Sequence, residues 1–431
     1  MSSGTILALY IAFFAAEFAW ERLLTLLNMR HVQRNRDSVP QPFEGYVDIE
    51  KHSASADYTL TRSRFSLVTA SVSSVFLLTL ILTGLLGSID AWLGRLPVHR
   101  YVHGILYVLA LSLVFRLVSL PFGLYSQFVI EEKFGFNRMT VGLFFVDLLK
   151  GILISLVLMV PLLLGLFWFM DTTGGLWWIY AFLFVTTFQF VVSILYPLVI
   201  APVFNKFTPL EEGSLRQKII ALADKLAFAT RGIVVMDGSK RTKHANAYLA
   251  GLGRVKRVVL FDTLLDSLEE EQVAAVLAHE IGHAKKRHRI RMLAVSLALS
   301  LASLFVVSQL LAFAPLFEAF SFAQPSYHAI LVILGFCSGP FTFFLSPLFS
   351  IWSRKHEYEA DRFAVNAVGQ AQDLKEALLR LEKENLANLT PHPLYSFYHY
   401  SHPTLAERIG ALEQQSCGPR PGATDADSHP A

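Results

Sequence analysis

Seven stretches of this 431-residue chain are apolar over roughly the length of a bilayer crossing, and they constrain the fold more than any other feature. They run about Thr5–Leu27, Phe65–Leu86, Val102–Leu120, Lys150–Met170, Leu176–Ile200, Met292–Phe313 and His328–Ile351. Each approaches the ~20 residues that a helix needs to cross the hydrocarbon core. Charged residues make up 16% of the chain, against about 25% in soluble domains. The chain therefore reads as an α-helical, multi-pass membrane protein, with the lipid bilayer as its surroundings. The first stretch is long enough to span and lacks a basic leader, so no cleavable signal peptide is expected. The net charge of +3 is small, and the basic residues flank apolar spans without interleaved aromatics. Nucleic acid is excluded as a partner on that ground. Cys337 falls in an apolar span and Cys417 in a polar tail, which argues against a structural disulfide.

The flanking charges orient the spans. Arg30, Arg34, Arg36, Lys51, Arg62 and Arg64 follow the first span, and Lys133 and Arg138 follow the third. The segments after the fifth and seventh spans are also basic, whereas the other side offers only Arg95 and Arg100. The positive-inside bias puts the N-terminus outside the cytoplasm and the C-terminus within it. Glu17, Glu21, Arg22, Arg116, Asp147 and Lys150 lie inside or at the ends of spans. Arg22 and Lys150 can snorkel. Glu17 and Arg116 are better suited to a hydrated interior between the helices.

An insertion from Asn205 to about His288 separates the fifth and sixth spans. Leu210–Phe228 reads as an amphipathic helix, and Gly232–Met236 as a short β-branched strand. Asp237–His244 is a polar, basic loop. Asn246–Leu252 and Val255–Phe261 read as adjacent strands turning at Gly253. Ser267 and Glu270 then suggest a capping box opening a helix, with Val273, Val276 and Leu277 as its buried stripe. That helix carries His279-Glu280-Ile281-Gly282-His283. Histidines four apart share a helix face and can bind one metal ion, with Glu280 beside them to take a proton from water. The basic cluster from Lys285 to Arg291 reads as an anchor against headgroups at the start of the sixth span.

Catalytic zinc takes three protein ligands and keeps one position open. Lys286 and Arg289 stand where a third histidine's motif would continue, so the third ligand comes from elsewhere. Beyond the seventh span, Ser353 to Asp361 reads as a helix continuing to about Val368. On it Glu357 and Asp361 are four apart and share a face. One can ligate while the other supports a ligand imidazole; Glu359 points elsewhere and is the weaker candidate. Further on, Leu374–Leu389 is amphipathic, Pro391–His402 is aromatic and histidine-rich, and Thr404–Gln415 is a short helix with Thr404 and Glu407 as a capping box. Cys417–Ala431 is expected to be disordered.

His279 to His283 together with Ser353-Arg354-x-x-Glu357-Tyr358-x-Ala360-Asp361 resembles the integral-membrane zinc endopeptidases of the CAAX prenyl protease type. Phe128–Asn137, Ala201–Phe207 with Pro209-Leu210, Ala245–Tyr248 with Gly251, and Ser401-His402-Pro403 with Glu407-Arg408 are similar to further motifs of that family. The heat-shock membrane proteases share the zinc motif but are shorter, with fewer spans. The resemblance implies one zinc ion per chain on His279, His283 and Glu357, with Glu280 as base and Asp361 behind the ligands. It implies that Asn246, Ala247 and Tyr248 form an edge strand holding the substrate backbone, as peptides add to free edges. His402 and Arg408 would sit beside the transition state; the residues themselves equally permit a packing histidine and a structural salt bridge.

The fold so implied is seven transmembrane helices around a hydrated chamber, with a cytoplasmic α+β, gluzincin-like zinc peptidase region. Its divisions fall at 1–204 for five spans, 205–291 for the insertion, 292–351 for two spans, 352–416 for the segment bearing the third ligand, and 417–431 for the tail. The implied reaction is peptide-bond cleavage in a peptide or protein substrate, prenylated at its C-terminus in the family's known reaction, by a monomer in the bacterial inner membrane or the endoplasmic reticulum. General clearance of membrane or translocon-stalled proteins is the alternative, and a transporter or channel with a structural zinc is the alternative of another class.

Overall fold

The structure is a computed structural model and describes residues 1–230, 232–251 and 257–417. Gly253, the expected turn, lies outside the described residues. Of the expected disordered tail only Cys417 is described, at the end of helix Leu405–Cys417.

Among the described residues, seven helices are long and apolar enough to cross a membrane: Ser3–Arg34, Ile49–Leu82, Arg100–Glu131, Val141–Thr172, Gly174–Phe204, His288–Leu310 and Tyr327–Val368. Most outrun the apolar stretches that announce them, because backbone hydrogen bonding continues until a cap stops it, whatever the hydropathy. The second span starts at Ile49, not Phe65, on an N-cap in which Asp48 accepts from the Lys51 N–H. It ends at Leu82, not Leu86, because the chain turns there and restarts as a separate short helix, Leu85–Leu93. The third span finishes in a π-helical turn, Ser126–Glu131, and the fifth passes through one, Tyr196–Ile200, before its last turn, Ala201–Phe204. The sixth runs from His288 and the seventh to Val368, so residues 291/292 and 351/352 each lie inside one continuous helix.

The spans share one large apolar cluster at one end, while at the other, among the described residues, only small ones join them, Val32 with Ala56 and Leu60, and Tyr58 with Ile130. The large cluster gathers Tyr10 and Phe14 from the start of the first span, Leu80 and Ile81 from the end of the second, and Ile105 and Leu111 of the third. Leu163, Phe167 and Met170 of the fourth, Ala181 of the fifth and Ile330 and Ile333 of the seventh complete it. Toward the other end burial falls away: none of the most apolar 18-residue window of the fifth span is buried. A solid bundle would bury one face of every helix along its length. These helices instead converge on a plug and enclose open volume above it. Glu17 lines a cavity of about 1050 Å3 there, together with Phe14, Phe343 and Tyr398. Glu21 pairs with His399 at 3.2 Å, and Arg116 is exposed. Lys150 Nζ donates to the Val203 carbonyl, and Asp147 pairs with Arg241, so both serve the loop that closes the open end.

That end carries a four-stranded sheet of β1 (Phe207–Pro209), β2 (Ile233–Met236), β3 (Ala247–Ala250) and β4 (Arg257–Phe261), in the order β1-β2-β4-β3. β2 and β4 are parallel and the other pairs antiparallel. β1 escaped the sequence reading because it is three residues long and includes a proline, which only an edge tolerates. The expected helix Leu210–Phe228 is Ser214–Lys225, because Leu210 still pairs with Ile233 at the sheet. Pro393–His399 forms a short helix within the aromatic run. The segment Phe128–Asn137 packs Phe136 flat on His244 at 4.1 Å, fixing the loop that leads into β3.

Candidate metal centre

The motif helix is Glu270–Lys285, and its cap is not the one expected. Ser267 closes the preceding helix, Asp262–Ser267, so it cannot also open the next. Glu269 is the N-cap instead, with Gln272 completing the box. The helix lies between two cores. Val273, Leu277 and Ile281 face the sheet, while Ala274, Ala275 and Ala278 face the seventh helix and its neighbours. Small side chains let two helices approach closely. A Cβ on Gly282 would stand 3.2 Å from both Cα and O of Ala360. This contact brings the motif helix within ligand reach of Glu357, one turn before Ala360.

His279 Nε2 lies 3.4 Å from Glu357 Oε2, His283 Nε2 lies 3.3 Å from Glu357 Oε1, and the two Nε2 atoms are 3.1 Å apart. Ligand atoms on a tetrahedral ion at ~2.0 Å are separated by about 3.3 Å, so this triangle has the size of one face. The surroundings fix which nitrogens are free. Asp361 Oδ1 accepts from His279 Nδ1 at 2.8 Å. His283 Nδ1 pairs with His288 Nδ1 at 3.1 Å, and His288 Nε2 donates to Glu359 Oε2 at 3.0 Å. With both carboxylates accepting, each ligand histidine carries its proton on Nδ1, and two Nε2 lone pairs face each other. Glu357 Oε2 is buried with no hydrogen-bond partner. Two opposed lone pairs and an orphaned carboxylate oxygen require a cation between them. Burial disfavours a proton on His279, but its hydrogen bond to Asp361 and the Glu357 carboxylate 3.4 Å away outweigh it and raise its pKa to about 9. That proton occupies the place that a metal would take. The residues therefore fit a metal ion, with the open side toward His402.

The remaining site residues divide by position. His402 Nε2 is 3.4 Å from Glu357 Oε1, with its side chain 63% exposed, so it borders the ligands on the open side. Arg408 reaches the site only from behind. Its Nε and NH2 grip Asp361 at 2.9 and 2.6 Å, with Asp361 1% exposed. Removing one partner of such a buried pair costs about 3–5 kcal/mol. Glu280 is near Arg289 NH2, at 3.8 Å, and Arg289 NH1 donates to the Leu249 carbonyl at 2.7 Å.

Asn246 precedes β3, and Ala247 and Tyr248 lie on it. The Phe261 N–H donates to the Asn246 carbonyl, which sets the pairing phase. Tyr248 therefore turns its main-chain groups toward β4, and Ala247 and Leu249 turn theirs to the free edge. A cavity of about 800 Å3 lies along this edge, bounded by Tyr248, Ala250, Tyr196, Pro197 and Ser296.

Three residues gain roles here that the sequence reading had not given them. His288 and Glu359 form the support behind His283, and Arg289 joins Glu280 to the edge strand, although the basic cluster had read as a headgroup anchor. The signal was a third histidine five residues past His283. Arg287, at φ 58°, breaks the helix between them, so helical spacing could not place it.

Comparison with known proteins agrees with this geometry. Residues 28–206 match the family model described as CAAX prenyl protease N-terminal, five membrane helices, and residues 209–416 match Peptidase family M48. CAAX prenyl protease 1 of Saccharomyces cerevisiae is 37% identical over 434 residues, covering 94% of this chain and 94% of the yeast protein. The CAAX prenyl protease 1 homolog of Oryza sativa is 36% identical over 410 residues, covering 90% of this chain and 93% of the rice protein. The crystal structure of Ste24p from S. mikatae superposes with a TM-score of 0.88 at 33% identity, covering 95% of this chain and 99% of that one.

Proposed function

Because the chain belongs to peptidase family M48, in the branch carrying the CAAX prenyl protease membrane helices, we propose that it cleaves prenylated C-a-a-X proteins near their C-terminus as a zinc endopeptidase. The observation that carries this reading is the convergence of His279 Nε2, His283 Nε2 and the partnerless Glu357 Oε2 beside a free strand edge. One zinc ion on these ligands would supply Lewis-acid polarisation of the scissile carbonyl and acidify the attacking water.

The protein's own groups do the rest. With the Ala247 N–H donating to Asn246 Oδ1 and the Leu249 carbonyl held by Arg289, the Ala247 carbonyl and the Leu249 N–H hold the substrate as an added strand, with Tyr248 between them. Glu280 takes the proton from water as it attacks and returns it to the leaving amine. His402, exposed beside Glu357, donates to the developing oxyanion. Arg408 is a positioning residue. It locks Asp361, which holds His279 in the ligating tautomer. The open volume within the spans gives an apolar prenyl tail a route to the edge strand. The charge bias of the loops puts this site on the cytoplasmic side, the N-terminus outside and the C-terminus inside, of an endoplasmic reticulum or bacterial inner membrane. Because the metal-binding and catalytic residues of this reading all come from one chain, the reading is of a monomer.

The test uses purified protein with one C-a-a-X peptide, farnesylated and unmodified. Farnesylated peptide is cut faster, and Glu280→Gln lowers kcat by about 10²–10⁴-fold. Cleavage that survives Glu280→Gln or chelation defeats the mechanism; equal rates on the two peptides defeat prenyl selection alone.

A further inference from the structure

At the plugged end of the bundle a second group of metal-binding side chains comes together. Asp90 lies on the short helix Leu85–Leu93, His103 near the start of the third span and His328 in the first turn of the seventh. His328 Nε2 is 2.7 Å and His103 Nε2 3.1 Å from the same oxygen, Asp90 Oδ1. His103 Nε2 is also 3.3 Å from the Asp90 carbonyl oxygen, and His328 Nε2 is 3.3 Å from Ser326 Oγ. Five lone-pair atoms from four residues thus crowd one point. Each Nε2 has at most one proton to share between two oxygens, so protons alone serve this cluster poorly.

The setting sharpens the point. Tyr107 and Phe322 pack on the His328 ring, and His103 meets it edge-on at 5.0 Å. Asp90 and His103 side chains are only 19% and 20% exposed. With neutral imidazoles the group carries one negative charge inside the apolar plug. A desolvated carboxylate is costly without a cation to offset it.

We propose that Asp90, His103 and His328 form a second metal site, a structural one, for a zinc-class divalent cation. Two imidazole nitrogens and a carboxylate select a first-row transition ion over calcium or magnesium, which prefer oxygen. Ser326 Oγ, 3.3 Å from His328 Nε2, stands where a fourth donor would close the tetrahedron, as structural sites require. Binding opens the 2.7 Å contact by about half an ångström, toward the ~3.3 Å spacing of ligands on one ion. The ion ties the short helix to the third and seventh spans, pinning the plug from which the spans diverge. This inference stands apart from the peptidase reading and uses none of its residues.

The experiment uses the full chain in detergent, stripped with chelator, loaded with Zn²⁺ or Co²⁺ and desalted. Elemental analysis gives two ions per native chain. The double variant His283→Ala/Glu357→Gln retains one Co²⁺ and the visible absorption of an imidazole-ligated ion. Adding His103→Gln abolishes both, while His103→Gln alone keeps proteolysis within about twofold of native and binds one ion. One ion per native chain, with no cobalt on the double variant, overturns the proposal. Should the triple variant not fold, the thermal midpoint of the double variant decides: Co²⁺ in excess raises it by about 5 °C, and no rise overturns the site.

Discussion

The seventh spanning helix carries His328 in its first turn and Glu357 about eight turns later, and each end gathers two imidazoles and one carboxylate. At the Glu357 end the ring nitrogens farther from the ligand point are tied down, His279 by Asp361 and His283 by His288, so both Nε2 atoms converge unencumbered. The carboxylate keeps an oxygen with no partner, and exposed His402 marks an open side. At the His328 end the carboxylate oxygen is shared by both imidazoles, and a hydroxyl and a carbonyl crowd the same nitrogens. The same donor types therefore make an open centre at one end and a closed one at the other. What differs is the support behind the ligands and the room in front of them. Donor composition alone does not mark a catalytic site.

Substituting the supports tests this contrast most severely. Asp361→Asn leaves a single acceptor oxygen for which His279 and Arg408 compete and strands the Arg408 charge, so peptide cleavage and metal retention should fall about 10–100-fold. Ser326→Ala at the closed end should leave cleavage within about twofold. Initial rates and metal content of both purified variants measure the difference, and equal losses would dissolve it.

Protons give the next largest effect. Metal-free His279 has its pKa raised to about 9, so near neutrality a metal must displace that proton in order to bind. Affinity at the open centre should therefore weaken about tenfold for each unit that pH falls below ~9. Chelator competition on the His103→Gln chain, which isolates the open centre, reads that slope directly; a flat profile would place the proton elsewhere.

A matched pair of glycines gives the smallest effect. A Cβ at Gly282 meets Ala360 backbone at 3.2 Å, whereas one at Gly104 meets the Phe167 ring at 3.0 Å and His328 Nδ1 at 3.2 Å. Gly282→Ala and Gly104→Ala should each cost about 1–3 kcal/mol of stability. Only Gly282→Ala should also slow cleavage, because it forces two helix backbones apart between the ligands they carry. Thermal midpoints and rates on the two variants separate the outcomes.

The sequence displayed the open centre far better than the closed one, for a physical reason. His279, Glu280 and His283 lie on one helix and Glu357 and Asp361 on another, so helical spacing placed each set. The seven spans were legible because hydropathy registers a bilayer. Their true lengths were not, because helices such as Ile49–Leu82 run on through polar residues to a cap. His288 stood past a left-handed break, and Glu359 was set aside because it points to a different face from Glu357 and Asp361, the face on which His288 meets it. Asp90, His103 and His328 come from three elements with no shared period, and only tertiary packing unites them. The misplaced cap at Ser267 is of the same kind. A good local signal yielded to the helix that already ended there.

Under the proposed function, the free edge of β3 also has a consequence for where a bound chain would be cut. Its outward main-chain positions, Ala247 and Leu249, are two residues apart, roughly 7 Å along the strand. A peptide that slips along this edge can regain its hydrogen bonds only after moving by a pair of residues. Arg289, holding the Leu249 carbonyl, sets a stop at one end of the track. The edge then works as a coarse ruler, and miscut products should differ from the main one by an even number of residues.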